Sequence, residues 1–395
     1  MVGLRQLFLQ NLAQTSDSPL QLEIDRAEGI YLYTPEGKDI IDLISGVSVC
    51  NVGHCHPAVV SAVAEQASRY MHLMVYGEVI QYPQVRLAQK LAEQAGTGLD
   101  NVYFVNSGSE AVEGAIKLAK RYTRRYEVIS CNNAYHGSTI GALSVMGSAE
   151  PQRSFRPLMP GTRRIEYNSV ADLEQISEQT ACVIIEPIQG EGGIISPAPG
   201  YLEALRERCT QTGTLLVFDE IQTGMGRTGS LFAFQKLGVK PDILLLAKAL
   251  GGGMPLGAFI SSKEIMGSLT NDPVLGHITT FGGHPVSCAA AIAALDVLLD
   301  NGYISAVTEK EQQFRSTLSK HPAVKEIRSN GLFMAIELGS FDKVLKTIHL
   351  GAQTGFLTDW FLFCDTAFRI APPLTITKEE VAIACDRITW VLDRV

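Results

Sequence analysis

The sequence predicts an α/β fold built on a mostly parallel central sheet with helices on both faces, together with a smaller α+β domain. Five short, continuously apolar runs recur between residues 102 and 247, and helical patterns separate them. Strands covered on both faces are continuously apolar, and parallel strands require crossover connections that are usually helical. A chain of 395 residues is also long enough for two domains.

The N-terminal part of the chain predicts a helical segment followed by two short strands, at 30–33 and 39–43. Gly37 lies in the turn between these strands, where a hairpin needs a positive φ. A helical pattern begins just after Pro57. We expect the 1–57 segment to contribute to the smaller domain.

The middle of the chain predicts five strands, at 102–105, 128–129, 183–185, 215–218 and 243–247. Helical stretches lie between them, for example at 111–125 and 201–210. Each strand runs directly into polar or glycine-rich residues. Because ligands bind beyond the carboxyl ends of parallel strands, the functional site is expected at that edge of a large 58–288 domain.

The last part of the chain, 289–395, is predicted to complete the smaller domain. It contains a helical segment at 289–299, a strand at 333–338 and a final helix at 378–392.

Bulk composition excludes several classes of function. The hydrophobic content of 46% is that of a globular protein, and the net charge of −8 argues against a nucleic-acid partner. No run of 18 apolar residues predicts a membrane span. The eight cysteines are scattered without a Cys-x-x-Cys pair, so they predict buried thiols in a reducing compartment and no metal site. These features together predict a cytoplasmic protein.

Two residues at the ends of apolar runs, Lys248 and Asp219, indicate a pyridoxal 5'-phosphate enzyme. Such an enzyme needs a lysine that forms a Schiff base with the cofactor aldehyde and an acid that pairs with the pyridine nitrogen. Taken singly, each residue has a simpler interpretation, as a surface lysine or as a helix N-cap. Three positions after Asp219, Gln222 is placed to hydrogen-bond the ring oxygen of the cofactor.

The segment after the first of the five strands suits a phosphate group. Ser107, Gly108 and Ser109 lie where a strand meets a helix, so free N–H groups and two hydroxyls are available. Ordinary helix capping is the alternative. Tyr135 follows the next strand and is positioned to stack on a planar ring, although a core tyrosine is the alternative.

Two further charged residues lie in apolar surroundings. Glu186 directly follows an apolar run that is expected to be buried, which argues against a solvent-exposed position for its carboxylate. Arg369 lies between Phe368 and Ile370, and its guanidinium matches a carboxylate in bidentate geometry. It is expected to bind the α-carboxylate of an amino acid, with a structural salt bridge as the alternative.

Eight motifs occur in an order that resembles the class III aminotransferases, a fold-type-I family dependent on pyridoxal phosphate. They are GHCHP at 53–57, NSGSEA at 106–111, YHG at 135–137, EPIQGEGG at 186–193, DEIQTGMGRTG at 219–229, AKALGGGMPLGA at 247–258, TTFGGHP at 279–285 and FRIAPPL at 368–374. The resemblance runs over nearly the whole chain.

The resemblance implies a role for each matching position. Lys248 would be the Schiff-base lysine and would move the substrate proton. The remaining cofactor contacts would come from Asp219 and Gln222 at the ring, Tyr135 stacked on it, Gly108 and Ser109 at the phosphate, and Thr280 supplied by the other subunit of a homodimer.

On the substrate side, the resemblance implies that Arg369 holds the α-carboxylate. Glu191 would pair with Arg369 when an ω-amine is bound. Ser138 occupies a position where the acetylornithine, ornithine and 4-aminobutyrate branches usually have an arginine for a second carboxylate.

The implied activity is amino transfer from acetylornithine, ornithine or a similar donor to 2-oxoglutarate or another 2-oxo acid. Five alternatives remain open at this point. They are an ω-amino acid:pyruvate aminotransferase, a racemase, a decarboxylase or aminomutase of the same fold, and a cofactor-binding protein without catalysis.

Overall fold

The computed structural model describes residues 3–75 and 77–395. Its helices are α1 Leu4–Asn11, α2 Ser45–Ser48, α3 Pro57–Arg69, α4 Tyr82–Ala95, α5 Gly108–Thr123, α6 Ile140–Ser144, α7 Tyr201–Thr212, α8 Ala233–Leu237, α9 Lys263–Gly267, α10 Pro285–Asp300, α11 Val307–Leu318, α12 Phe341–Thr354 and α13 Lys378–Leu392. Short 3-10 helices occur at Arg153–Phe155, Ala171–Gln175 and Lys248–Gly251.

The strands form three sheets. They are β1 Arg26–Glu28, β2 Tyr31–Tyr33, β3 Asp39–Asp42, β4 Asn101–Val105, β5 Glu127–Cys131, β6 Thr162–Ile165, β7 Thr180–Ile185, β8 Leu215–Asp219, β9 Ile243–Leu246, β10 Gly257–Ser261, β11 Glu326–Ser329, β12 Met334–Glu337, β13 Phe356–Leu357, β14 Trp360–Phe361 and β15 Cys364–Ile370.

The largest sheet has seven strands in the order β4-β10-β9-β8-β7-β5-β6. All five strands predicted from the apolar runs belong to it, and β5, β7, β8 and β9 are buried along their whole length. Neighbouring strands from β9 through β6 pair in parallel. The predicted fold class, with its mostly parallel sheet and helices on both faces, is confirmed.

Strand β10 was not predicted, and it is the antiparallel member of this sheet. It lies between β4 and β9 and runs against both. Gly257 opens the strand beside the backbone of Ser107, where an added Cβ would come 2.4 Å from the Ser107 carbonyl oxygen. A glycine therefore allows β10 to start next to the turn that follows β4.

Two four-stranded sheets lie outside the central one. One has the order β1-β2-β3-β13, so the parallel pairing of β13 with β3 joins the N-terminal strands to the C-terminal part of the chain. The other has the order β11-β12-β15-β14 and is antiparallel. The proposed division into 1–57, 58–288 and 289–395 stays a prediction, and residue 289 lies within α10.

The polar segments that follow the five predicted strands meet at one edge of the central sheet. Strand β4 is antiparallel to β10, and β10 is antiparallel to β9, so β4 runs in the same direction as β9. The carboxyl ends of β4, β5, β7, β8 and β9 consequently face the same side. None of the described helices has the length and apolar character needed to cross a membrane.

Candidate active site

A cavity of about 390 Å³ lies at the carboxyl edge of the central sheet. Side chains and backbone from the ends of five strands form its wall. The sequence-predicted residues that line it are Ser107, Gly108, Ser109, Tyr135, Glu186, Asp219, Gln222 and Lys248. The fold thus brings residues from Ser107 to Lys248, a stretch of 142 positions in the sequence, into one cavity.

The start of α5 forms one end of this cavity. The Ser107 hydroxyl accepts a hydrogen bond from the N–H of Glu110 at 3.2 Å and so caps the helix. The Ser109 hydroxyl accepts from the N–H of Ser138 at 3.2 Å. Gly137 has a φ of 124°, and an added Cβ would come 2.2 Å from the Ser109 Oγ. Glycine at 137 is therefore needed to bring the segment after β5 against the start of α5.

Asp219 ends β8 and is only 4% exposed. Its Oδ1 accepts from the N–H of Ile221 at 3.1 Å, and its Oδ2 lies 2.7 Å from Nδ1 of His136. Burial opposes a charge on the imidazole, but the hydrogen bond and the charge of Asp219 outweigh burial and raise the pKa of His136. The two side chains form a buried hydrogen-bonded pair, which is an ion pair when the imidazole is protonated.

His136 is a member of the site that the sequence did not assign. Its side chain is fully buried, and its Nε2 has no hydrogen-bond partner within the described residues. The sequence signal was its place between Tyr135 and Gly137 in a loop that follows a strand. Nothing in the sequence indicated that this imidazole would contact a residue 83 positions away.

Glu186 holds two loops of the site together. One carboxylate oxygen accepts from the N–H of Tyr135 at 3.1 Å, and the other accepts from the N–H of Gly190 at 2.8 Å. Burial raises the pKa of Glu186 to about 7, with His136 opposing the shift and Asp219 adding to it. In this structure the carboxyl group of Glu186 positions the backbone that carries Tyr135.

Lys248 lies two residues after the end of β9, at the start of a short 3-10 helix, and has a φ of 49°. Such a backbone conformation is uncommon for a residue other than glycine and costs on the order of 1–3 kcal/mol. Burial lowers the pKa of Lys248 to about 8, while Glu191 opposes the shift and Arg369 adds to it. A larger fraction of this amine is therefore neutral and nucleophilic near neutral pH than for an exposed lysine.

We expect this lowered pKa to be visible in the cofactor-free protein. In acetylation pulses over a neutral to alkaline pH series, Lys248 should reach half its maximal rate near pH 8, well below the range of about 10.4 that is usual for lysine. Peptide mass spectrometry measures the rate, with exposed Lys263 as the internal comparison. A Lys248 profile that coincides with that of Lys263 would contradict the assignment.

A second cavity, also about 390 Å³, shares Tyr135 and Lys248 with the first. Its other lining residues are Val47, Glu191, Asp359, Trp360, Leu362 and Arg369. Since the two spaces share both residues, a molecule attached at Lys248 has access to the second cavity.

Arg369 is the centre of the charged wall of this second cavity. Its Nη2 donates to both oxygens of Glu191, at 2.9 and 3.0 Å, and its Nε donates to Oδ1 of Asp359 at 2.9 Å. Its Nη1 donates to Oε1 of Gln222 at 3.0 Å. Phe361 lies under the guanidinium, 4.5 Å from ring centroid to Cζ. Arg369 is only 1% exposed, and each of its three guanidinium nitrogens donates to a partner within the described residues.

The pairing of Arg369 with Glu191 is the one the resemblance implied, whereas its contacts with Gln222 and Asp359 were not predicted. Burial would raise the pKa of Glu191, but Arg369 and Lys248 outweigh it and lower that pKa. Gln222 also donates to Oε1 of Glu191 at 3.1 Å, so both ends of its amide belong to this cluster. A contact between Gln222 and the ring oxygen of the cofactor stays a prediction. Asp359 was missed entirely.

Ser138 and Thr280 are both exposed. The Ser138 hydroxyl lies 3.1 Å from the hydroxyl of Tyr135. Thr280 is not one of the described residues that line either cavity. Its predicted contact across a subunit interface stays a prediction.

Comparison with known proteins agrees with this geometry. The family model described as aminotransferase class-III matches residues 12–392. The chain belongs to the class-III aminotransferases. Its cofactor is pyridoxal phosphate, as the resemblance implied.

Individual relatives of this class-III aminotransferase match over almost their full length. Acetylornithine aminotransferase of Methanocaldococcus jannaschii is 40% identical over 95% of this chain and 94% of its own. Ornithine aminotransferase 2 of Staphylococcus aureus is 38% identical over 94% of each chain. The crystal structure of ornithine aminotransferase from Toxoplasma gondii has a TM-score of 0.91 at 34% identity, covering 98% of this chain and 93% of that one.

Proposed function

We propose that this aminotransferase takes the terminal amino group of an amino compound of the ornithine or acetylornithine type and transfers it to 2-oxoglutarate or a related 2-oxo acid. The observation that carries the proposal is the position of Lys248 between the two cavities. One cavity contains groups suited to the cofactor, and the other contains a buried arginine suited to a carboxylate. The names of the relatives support the same class of donor.

The residues of the first cavity fit pyridoxal phosphate. The start of α5 offers backbone N–H groups and the positive end of a helix to the phosphate. The carboxylate of Asp219, with His136 behind it, would keep the pyridine nitrogen protonated. Tyr135 lines the same space and would stack on the ring. Within the described chain, the Nε2 of buried His136 has no hydrogen-bond partner, so this cavity contains a buried polar atom whose hydrogen bond is not made by the protein.

The bound cofactor supplies an electron sink for the carbon that loses its proton. In our proposal, Lys248 would hold the cofactor through its amine, and the same amine, when free and neutral, would take the proton from the amine-bearing carbon of the substrate. Its lowered pKa supports this role, because a base must be unprotonated near the working pH. Asp219 would hold the protonated ring nitrogen of the cofactor.

The Arg369 cluster supports the use of two different substrates in one site. With a terminal-amine donor, Glu191 remains paired with Arg369 as it is in this structure. With glutamate or 2-oxoglutarate, Glu191 would turn away and the guanidinium would bind the α-carboxylate in the same bidentate geometry. Pairing in the absence of a carboxylate substrate avoids an unpaired buried charge.

We also propose that the protein is a homodimer in which Thr280 of each chain reaches the cofactor of the other. Exposed apolar side chains support it, among them Met71, Met74, Ile80 and Phe281, of which Ile80 is 92% exposed and Phe281 directly follows Thr280. Apolar surface of this kind is typical of a protein interface. The eight cysteines, all free and five of them buried, support a reducing, cytoplasmic location.

The proposed function is tested by the visible spectrum of the purified protein loaded with pyridoxal phosphate. Adding L-glutamate without an acceptor should discharge the absorption band of the lysine-bound cofactor and release 2-oxoglutarate in equal amount. Later addition of a 2-oxo acid should restore the band. A band that persists with glutamate, ornithine and acetylornithine alike would exclude this transamination and favour racemase or decarboxylase chemistry.

A further inference from the structure

Asp359 has no role in the function proposed so far, although its carboxylate lines the substrate cavity. It lies just before β14, and its side chain is 29% exposed. Its Oδ1 accepts from Nε of Arg369 at 2.9 Å. Within the described residues, its Oδ2 has no hydrogen-bond donor. One oxygen of a partly buried carboxylate is therefore free on the wall of the cavity.

The neighbouring carboxylate offers no comparable free position. Both oxygens of Glu191 accept from Arg369, and they accept in addition from Gln222 at 3.1 Å and from the N–H of Leu362 at 3.2 Å. Of the two acids in the cavity, only Asp359 has an oxygen to offer to a ligand within the described chain.

The charge of the cavity favours a cation. Among the described residues that line it, the charged groups are Glu191, Asp359, Lys248 and Arg369. Once Lys248 is attached to the cofactor, two carboxylates remain against one guanidinium. Burial raises the pKa of Asp359 and Glu191 adds to this, while Arg369 opposes it. A second cation next to Asp359 would relieve that cost by stabilising its ionised form.

Aromatic side chains line the same cavity. Tyr135 and Trp360 both contribute to its wall. The ring of Phe341 packs against Trp360 in an edge-to-face contact, with ring centroids 5.8 Å apart. Aromatic faces attract alkylammonium groups as well as alkyl chains. The Ser138 hydroxyl, which lies 3.1 Å from the hydroxyl of Tyr135, is neutral and therefore adds no positive charge next to Tyr135.

We propose that the amino donor carries a second ammonium group at its far end and that Asp359 binds it. The donor class is that of linear α,ω-diamines and amino compounds with a distal amine. In the reaction, the terminal CH2–NH3+ of the donor becomes an aldehyde and the carbonyl of the 2-oxo acid becomes CH–NH3+, while the distal ammonium is unchanged. This inference rests on the proposed transamination and specifies its donor.

The test uses three donors with the same four-carbon chain: 1,4-diaminobutane, butylamine and 4-aminobutanoate. Each is mixed with the cofactor-loaded protein without acceptor, and the rate of discharge of the visible band gives kcat/KM for the first half-reaction. We expect 1,4-diaminobutane to exceed butylamine roughly tenfold, the scale of one charged hydrogen bond. We expect 4-aminobutanoate to be slowest because its distal carboxylate faces Asp359.

The matched variants are Asp359→Asn and Asp365→Asn. Asparagine at 359 retains the oxygen that accepts from Arg369 but loses the charge, so the ratio of diamine to butylamine should fall toward one. Asp365 is exposed on β15 and does not line the cavity in the described chain, so its variant should keep the ratio. Taking a ratio removes any common effect of a small shift in Arg369.

Two results would overturn the inference. One is an unchanged ratio in Asp359→Asn, and the other is 4-aminobutanoate as the fastest donor of the wild-type protein. The second result does not depend on the folding of any variant. If glutamate discharges the band but the diamine is no better than butylamine, only the donor assignment fails. If glutamate and all three amines leave the band intact, the proposed transamination itself fails.

Discussion

Replacing Lys248 with alanine is expected to reduce the half-reaction with glutamate by at least about 10³-fold, within the range that positioned acid–base groups contribute. Two functions would be lost together, because we propose that the same amine attaches the cofactor and moves the proton. The substitution leaves Ser107, Gly108 and Ser109 in place, and we propose that this end of the cavity binds the phosphate. The variant should therefore still bind pyridoxal phosphate, measured by equilibrium dialysis and by its absorption spectrum.

A small primary amine provides the control for Lys248→Ala. Ethylamine added to the variant supplies a soluble base of the deleted type, so the single-turnover rate should rise with its concentration. Rescue would distinguish lost chemistry from a collapsed site. Near-normal turnover without added amine would exclude Lys248 as the catalytic base. Failure to bind the cofactor would show that the attachment to Lys248, and not the phosphate end, dominates affinity.

The central sheet could be predicted because its strands carry their evidence locally. A run such as 215–218 is apolar on both faces, and this pattern survives in the folded chain as buried β8. Strand β6 was missed because it is an edge strand, and two exposed arginines interrupt its sequence, Arg163 and Arg164. Strand β10 was missed because its short apolar run lies inside a segment dominated by glycine turns, and its direction depends on pairing with β4 and β9.

The site residues also fall into two groups, those that the sequence could predict and those that it could not. Lys248, Asp219 and Glu186 could be found because each ends an apolar run, and parallel strands bring such ends to one edge. Their partners could not be found. The contact of His136 with Asp219 depends on the path of a loop between distant strands. The contact of Asp359 with Arg369 depends on the irregular register of β14 against β15, which no residue pattern specifies.

The paired state of Arg369 makes lysine a sharper substitution than alanine at this position. Alanine would remove the guanidinium that pairs with buried Glu191 and with partly buried Asp359, and breaking a buried pair in this way costs about 3–5 kcal/mol of stability. Lysine retains the positive charge, so most of the fold should be preserved. It loses the planar fork that binds a carboxylate through two parallel hydrogen bonds.

For Arg369→Lys, kcat/KM for glutamate should fall about 30-fold to 1,000-fold, corresponding to roughly 2–4 kcal/mol, within the range measured for buried charged contacts. Butylamine has no carboxylate and should react at close to the wild-type rate. Stopped-flow discharge of the cofactor band measures both substrates in one preparation. Arg328→Lys is the control, because Arg328 is also paired with two acids, Glu326 and Glu337, and among the described residues it lines neither cavity. Equal losses with glutamate and butylamine would mean that Arg369 only maintains the structure, whereas a loss confined to glutamate would assign it to the substrate carboxylate.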